Sequence, residues 1–367
     1  MANTQSTTEI ETDPRLTQSQ PKETAHSDAA GLFDEVYSDL RSRFRATGYK
    51  YLYDHKPDLG DGVLLQQDQK IPEGDSKVKL SVEGLEREYR VHVPKDVEKS
   101  TAPIVLIMHG TQPAHSRAIS DSIDKMGFNS VADQSKFIAV YPVAQLRTFE
   151  YQPLLRSNYT VQLYAWNSGE KSLVNQDKGK PPQDDATYIK ALLPDLRRRL
   201  EAPSSNLYGV GYSGGAWLVN KLASQNNEQF AGVASVKGTT FDSKTQSLTN
   251  ADTRFLAIYG KDDTMLPYSG GSGSRTRAFQ RLGLASKDLD FARPLAQGEY
   301  WRHANNCKAA ADLSVSGNNM IKRYNQCTGK PVTEVFVPGG HEWPAALKTS
   351  TGKVPLPRFI VLELQIK

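Results

Sequence analysis

A series of short apolar runs, each too brief for a helix and most followed by a stretch of helical period, constrains the fold of this chain more than any other feature. The runs are Pro103–Met108, Phe137–Tyr141, Asn206–Tyr212, Val233–Val236, Arg254–Tyr259 and Thr333–Val337. Such segments bury both faces, as strands of a parallel sheet do, because a strand wetted on one side would alternate apolar with polar residues. Helical patterns alternate with them over Arg117–Gln134, Ala186–Leu200, Ala216–Gln225 and Glu299–Ala311. The second has Ile189, Leu192, Leu193, Leu196 and Leu200 on one stripe, and Pro194 inside it predicts a kink. Ahead of the series, Val78, Leu80 and Val82, a turn at Glu83-Gly84, and Tyr89, Val91 and Val93 predict an antiparallel hairpin. Strand, helix, strand repetition implies an α/β class with a mixed, mostly parallel sheet and helices on both faces.

The 367 residues suit one large α/β core with an accessory segment. Residues 1–29, rich in Thr, Gln, Ser and Glu, read as a disordered tail, since they hold too few apolar groups to offset the entropy of ordering. Residues 30–76 read as an N-terminal helix, with Leu32, Val36 and Leu40 at spacings of four, followed by an irregular connection. The main α/β domain is expected over 77–367. A net charge of +4, from 45 basic and 41 acidic residues, gives no electrostatic footprint for nucleic acid. No apolar run approaches the ~18 residues of a transmembrane segment, and the N-terminus lacks the order of a secretory signal, so sequence alone predicts a cytoplasmic protein. Cys307 and Cys327 are spaced for a loop staple, yet a chain without a leader would keep them reduced, and that conflict stays open. Nothing fixes the oligomeric state.

The run Asn206–Tyr212 abuts the helical pattern from Ala216 with only Gly211-Tyr212-Ser213-Gly214-Gly215 at the corner, a match to G-x-S-x-G. The bare pattern is weak, but between a strand and a helix it marks a nucleophile elbow of the α/β-hydrolase fold. A sharp corner pushes a serine hydroxyl into open space, and flanking glycines remove the side chains that would collide there. The first helical amides, that of Gly214 included, point at the same spot. The competing reading is a Gly-rich turn with an inert serine. A serine needs a base and an orienting acid, and in this fold they follow it in the order acid, histidine. Asp262 and Asp263 lie beyond one strand, and His341 lies in Pro338-Gly339-Gly340-His341 beyond the last. Of the histidines after Ser213, His303 falls on a predicted helix, where a solvent-facing or packing role is expected, so His341 is the expected base. His109, before the serine, is in the wrong order and reads as a structural loop residue. After the strand ending at Met108, the amide of Thr111 is the expected second oxyanion donor. No His/Asp/Glu cluster has metal-ligand spacing, so no metal or cofactor is expected.

These segments together resemble the esterase family that groups polyhydroxybutyrate depolymerases with feruloyl and acetylxylan esterases. The resemblance runs from about Val78 to Trp343 and rests on ordered motifs: Gly84 to Pro94, Ile107 to Gly110, Ala165-Trp166-Asn167, Asp184-Asp185 before a helix, Gly211 to Gly215, Asp263 to Tyr268 followed by Gly270-Gly271, Asn306-Cys307, and Gly339 to Pro344. It implies a serine carboxylic-ester hydrolase with Ser213, Asp263 and His341 as triad, a disulfide between Cys307 and Cys327, a small-molecule or polymeric ester as substrate, and secretion. Trp166 and Trp343 would wall the acyl or alcohol group or pack in the core, and Asn167 would bond substrate or fix its own loop. The chain departs from the family in having Tyr259 where a histidine is usual, in lacking an export signal, and in longer segments over 147–164 and 272–295. A serine peptidase, an acyltransferase or a non-catalytic binding protein would share the same scaffold.

Overall fold

The computed structural model describes residues 57–114, 117–151, 159–167, 184–225, 229–239, 252–267, 269–281 and 292–367. The tail expected over 1–29 and the helix expected over 30–45 lie outside the described residues. In chain order the strands are β1 (Val63–Leu64), β2 (Gly74–Val82), β3 (Leu85–Val93), β4 (Ile104–Met108), β5 (Gln112–Pro113), β6 (Ile138–Pro142), β7 (Leu146–Tyr151) and β8 (Tyr159–Tyr164). They continue as β9 (Leu207–Tyr212), β10 (Phe230–Val236), β11 (Arg254–Gly260), β12 (Asp312–Ser316), β13 (Asn319–Tyr324), β14 (Val332–Val337), β15 (Ala346–Thr349) and β16 (Gly352–Pro355). The helices are α1 (Ala118–Met126), α2 (Phe128–Ser135), α3 (Asp185–Leu200), α4 (Gly214–Ser224), α5 (Ser274–Arg281), α6 (Pro294–Ala304) and α7 (Leu356–Leu364).

Eleven strands form one sheet in the order β1-β2-β3-β6-β4-β9-β10-β11-β14-β13-β12. Its centre, β6 to β14, is parallel throughout, and the flanking pairs β2–β3, β3–β6, β13–β14 and β12–β13 are antiparallel. Every residue of β4, β6 and β14 is buried, including the polar Thr333 and Glu334 of β14, as strands covered on both faces require. This is the α/β-hydrolase arrangement. Parallel strands all point one way, so the residues that follow them gather on one edge. In register, Met108 and Ser235 flank Gly211, Val236 faces Ile258, and Gly260 faces Val337. The chain beyond β4, β9, β10, β11 and β14 therefore shares that edge, where ligands of open α/β sheets bind.

Some expectations are corrected. The helix expected over Arg117–Gln134 is two, because Gly127 takes a left-handed φ of 69° and its amide caps Ile123, ending α1 before α2 begins. The helix expected over Glu299–Ala311 is α6, which starts at Pro294, a residue pre-set for a first turn, and ends at Ala304. The stretch beyond it forms the β12–β13 hairpin, and the chain closes on α7; neither was expected. Part of the connection taken as irregular holds β1 and the start of β2. The long 147–164 segment carries the β7–β8 hairpin, with β8 pairing β5. In α3 the expected stripe is buried, and the helix continues through Pro194. Cys307 and Cys327 are joined, tying the end of α6 to the loop between β13 and β14. Among the described residues, no helix is long and apolar enough to cross a membrane.

Candidate active site

Ser213 sits between β9 and α4 with φ 51° and ψ −118°, a conformation that costs a non-glycine residue roughly 1–3 kcal/mol. Neighbouring backbone holds it there: its amide donates to Val236 at 3.0 Å, and its carbonyl accepts from Ala216 at 2.9 Å. Close approach explains the glycines. A Cβ on Gly211 would lie 2.2 Å from the Gly215 oxygen, and one on Gly215 would lie 2.3 Å from the Met108 oxygen. Gly215→Ala is therefore expected to destabilise the fold by about 3 kcal/mol, measured by urea denaturation, because strand backbone rather than a flexible side chain fills the space.

The Ser213 hydroxyl makes no capping bond to α4, although it occupies the cap position. Its Oγ instead lies 2.8 Å from His341 Nε2, and His341 Nδ1 lies 2.8 Å from Asp263 Oδ2. A carboxylate only accepts, so the ring proton belongs on Nδ1 and Nε2 is left to accept from the serine. Asp263 is buried, and its second oxygen, Oδ1, accepts from the amides of Met265 and Leu266, both at 2.8 Å. Its neighbour does something else: Asp262 Oδ2 accepts from the Gly339 amide at 3.0 Å, holding the loop that carries the histidine. Tyr212 steadies the same loop by donating its hydroxyl to the His341 carbonyl.

Thr111, Gly214 and Trp166 converge beside the serine. A Cβ on Gly214 would lie 3.2 Å from Thr111 Oγ1, 3.7 Å from Trp166 Cδ1 and 3.9 Å from the Thr111 amide nitrogen. Trp166 is buried and donates its indole N–H to the His109 carbonyl at 2.7 Å. His109 has no free nitrogen: Nε2 accepts from the Ala144 amide at 3.1 Å and Nδ1 donates to the Gly110 carbonyl at 2.6 Å. Burial pushes its pKa down to about 4, in keeping with a neutral structural imidazole. Trp343 is buried against Phe128 and, edge-on, Tyr212, which is core packing behind the histidine loop. Asn167 is buried next to Trp166, and its backbone amide donates to the carboxylate of Asp185. His303 is exposed on α6.

Two residues of this region carry no role in the sequence reading. Asp185 pairs with the buried guanidiniums of Arg87 and Arg147 and so fixes the Trp166–Asn167 turn. Lys237 is a buried lysine just past the end of β10. A signal for it was present: a charge placed directly after the apolar run Val233–Val236.

No protein-family profile matches the chain. Over 276 residues it is 24% identical to a putative esterase from Nocardia uniformis subsp. tsuyamanensis, covering 72% of each chain. Over 286 residues it is 23% identical to poly(3-hydroxyalkanoate) depolymerase C of Paucimonas lemoignei, covering 75% of this chain and 63% of that enzyme. Among solved structures, an acetyl xylan esterase from Aspergillus awamori matches with a TM-score of 0.47 and 13% identity, over 80% of this chain and 100% of that one. A ferulic acid esterase matches with a TM-score of 0.40 and 13% identity, over 73% of this chain and 91% of that one. By its own strand order and by these sequence relatives, the chain is an α/β-hydrolase-fold protein similar to a putative esterase and to a poly(3-hydroxyalkanoate) depolymerase.

Proposed function

We propose that the chain is a serine carboxylic-ester hydrolase with Ser213 as nucleophile, His341 as general base and then acid, and Asp263 as the group that orients the imidazole. The observation that carries this reading is the run of hydrogen bonds from Ser213 Oγ through His341 to Asp263, 2.8 Å at each link, at the edge where the parallel strands end. In the first half-reaction Oγ attacks the ester carbonyl carbon while its proton passes to Nε2. The amides of Gly214 and Thr111 are assigned to the oxyanion, where fixed donors act without reorganising. Collapse of the tetrahedral intermediate expels the alcohol, which takes the proton from Nε2, and leaves an acyl-serine. Water then repeats the sequence and releases the acid. The Asp263 carboxylate stabilises the imidazolium formed twice in each cycle.

The names of the relatives direct the choice of substrates: hydroxyalkanoate oligomers, acetyl esters and feruloyl esters. A fluorophosphonate probe is expected to label the folded protein once, on Ser213, and to leave Ser213→Ala unlabelled. p-Nitrophenyl esters are expected to turn over far faster than the matching anilides. Folded protein that resists the probe, or a Ser213→Ala variant that still takes it, would remove the basis of this assignment.

A further inference from the structure

Lys237 is 2% exposed, and its Nζ has no hydrogen-bond partner among the described residues. Its surroundings belong to the two loops that supply the acid and the base. The point where a Cβ on Gly260 would sit is 2.4 Å from Lys237 Nζ, 2.5 Å from the Gly340 oxygen and 2.8 Å from the Gly339 oxygen. Gly260 opens the loop to Asp263, and Gly339 and Gly340 lead into His341. Lys237 also lines, with Tyr259, Gly260, Asp263 and Leu266, a small cavity behind the acid. The backbone at Lys237 has a left-handed φ of 50°, an unfavourable conformation for a lysine that the fold nevertheless imposes at this junction.

We propose that Lys237 is a positioning residue of the relay: its ammonium, seated between the acid and base loops, sets the charge behind Asp263 and His341, so that hydrolysis persists to lower pH. This rests on the esterase reading above. Among the described residues, the carboxylates of Asp263, Glu342 and Asp262 act on the amine. Burial lowers the pKa of the amine from the usual lysine value, and those three carboxylates pull it back up. From β11 the cavity also receives Tyr259, whose hydroxyl donates to Glu334. Burial raises the pKa of Glu334, and the Arg302 guanidinium, 4.0 Å from that carboxylate, opposes the shift. Facing His341 are Ser213, Asp263 and the ring of Tyr212. A buried cation near such a set acts through a low local dielectric and is poorly screened by salt.

The signs follow from charge alone. An ammonium opposes the imidazolium, so removing it makes His341 easier to protonate and moves the acid limb of kcat/KM to higher pH. Lys237→Met, of similar length and uncharged, is expected to shift that limb up by about one pH unit, a tenfold loss of kcat/KM well below the midpoint, with the neutral-pH plateau within about threefold. A residue that only filled space would lower the plateau and leave the limb in place, and that result would overturn the proposal. If Lys237→Met does not fold, the 15N resonance of the lysine amine in wild-type protein decides: an ammonium at pH 7 supports the proposal and a neutral amine refutes it. Fluorophosphonate labelling of the wild type separates the two levels. An unlabelled wild type sinks the esterase reading itself, whereas a labelled one with an unmoved limb sinks only the role of Lys237.

Discussion

Asp263→Asn is expected to lower kcat by about 10⁴-fold at neutral pH with the fold retained, while Asp262→Asn stays within about threefold of wild type. The reason lies in the two oxygens of Asp263. Oδ1 accepts from the amides of Met265 and Leu266, so the carbonyl of an asparagine must take that place and its NH2 group must face His341. A donor facing Nδ1 forces the ring proton onto Nε2, and Nε2 can then no longer accept from Ser213. The geometry survives and the chemistry stops. At Asp262 an asparagine carbonyl still accepts from the Gly339 amide, so the histidine loop keeps its tie. Steady-state kinetics of both variants, with circular dichroism to confirm folding, tests the pair; an exchange of their phenotypes would move the acid role to Asp262.

The parts of the site that lie in single strands or corners were legible in the sequence, and the parts made by convergence were not. The corner at Ser213 could be read because one short motif encodes it: glycines stand where strand and helix backbones touch, and apolar periods of different kind meet on either side. The main strands could be read because burial on both faces leaves uniformly apolar runs. The β12–β13 hairpin could not, since most of β12 is exposed and carries no such run. The break at Gly127 could not either, because apolar period continues across it and only the backbone angle of one residue interrupts the helix. The burial of Lys237 and Asp185 was not legible for a further reason: a charged residue, even one directly after an apolar run or inside a motif, reads as a surface residue until its burial is known, and burial here is set by loops far away in sequence.

Asp185 shows how much depends on such hidden charges. It is wholly buried in the first turn of α3, between the buried guanidiniums of Arg87 and Arg147, and it also accepts the Asn167 amide. Asp184, beside it, is partly exposed and caps the same helix through the Ala186 amide at 3.1 Å. Asp185→Ala takes the carboxylate from between two buried cations, and breaking a buried pair from one side costs about 3–5 kcal/mol. Asp184→Ala removes one helix cap and is expected to cost about 1 kcal/mol. Urea denaturation of the two variants should separate them by at least about 2 kcal/mol; equal losses would mean that the arginine pair contributes nothing beyond the cap. The larger loss should also reach the site, because the turn that Asp185 holds carries Trp166, whose edge borders Gly214 and whose indole fixes the carbonyl of His109. An Asp185→Asn variant that folds is then expected to lower kcat/KM while fluorophosphonate still labels Ser213, since Ser213, His341 and Asp263 are carried by other loops.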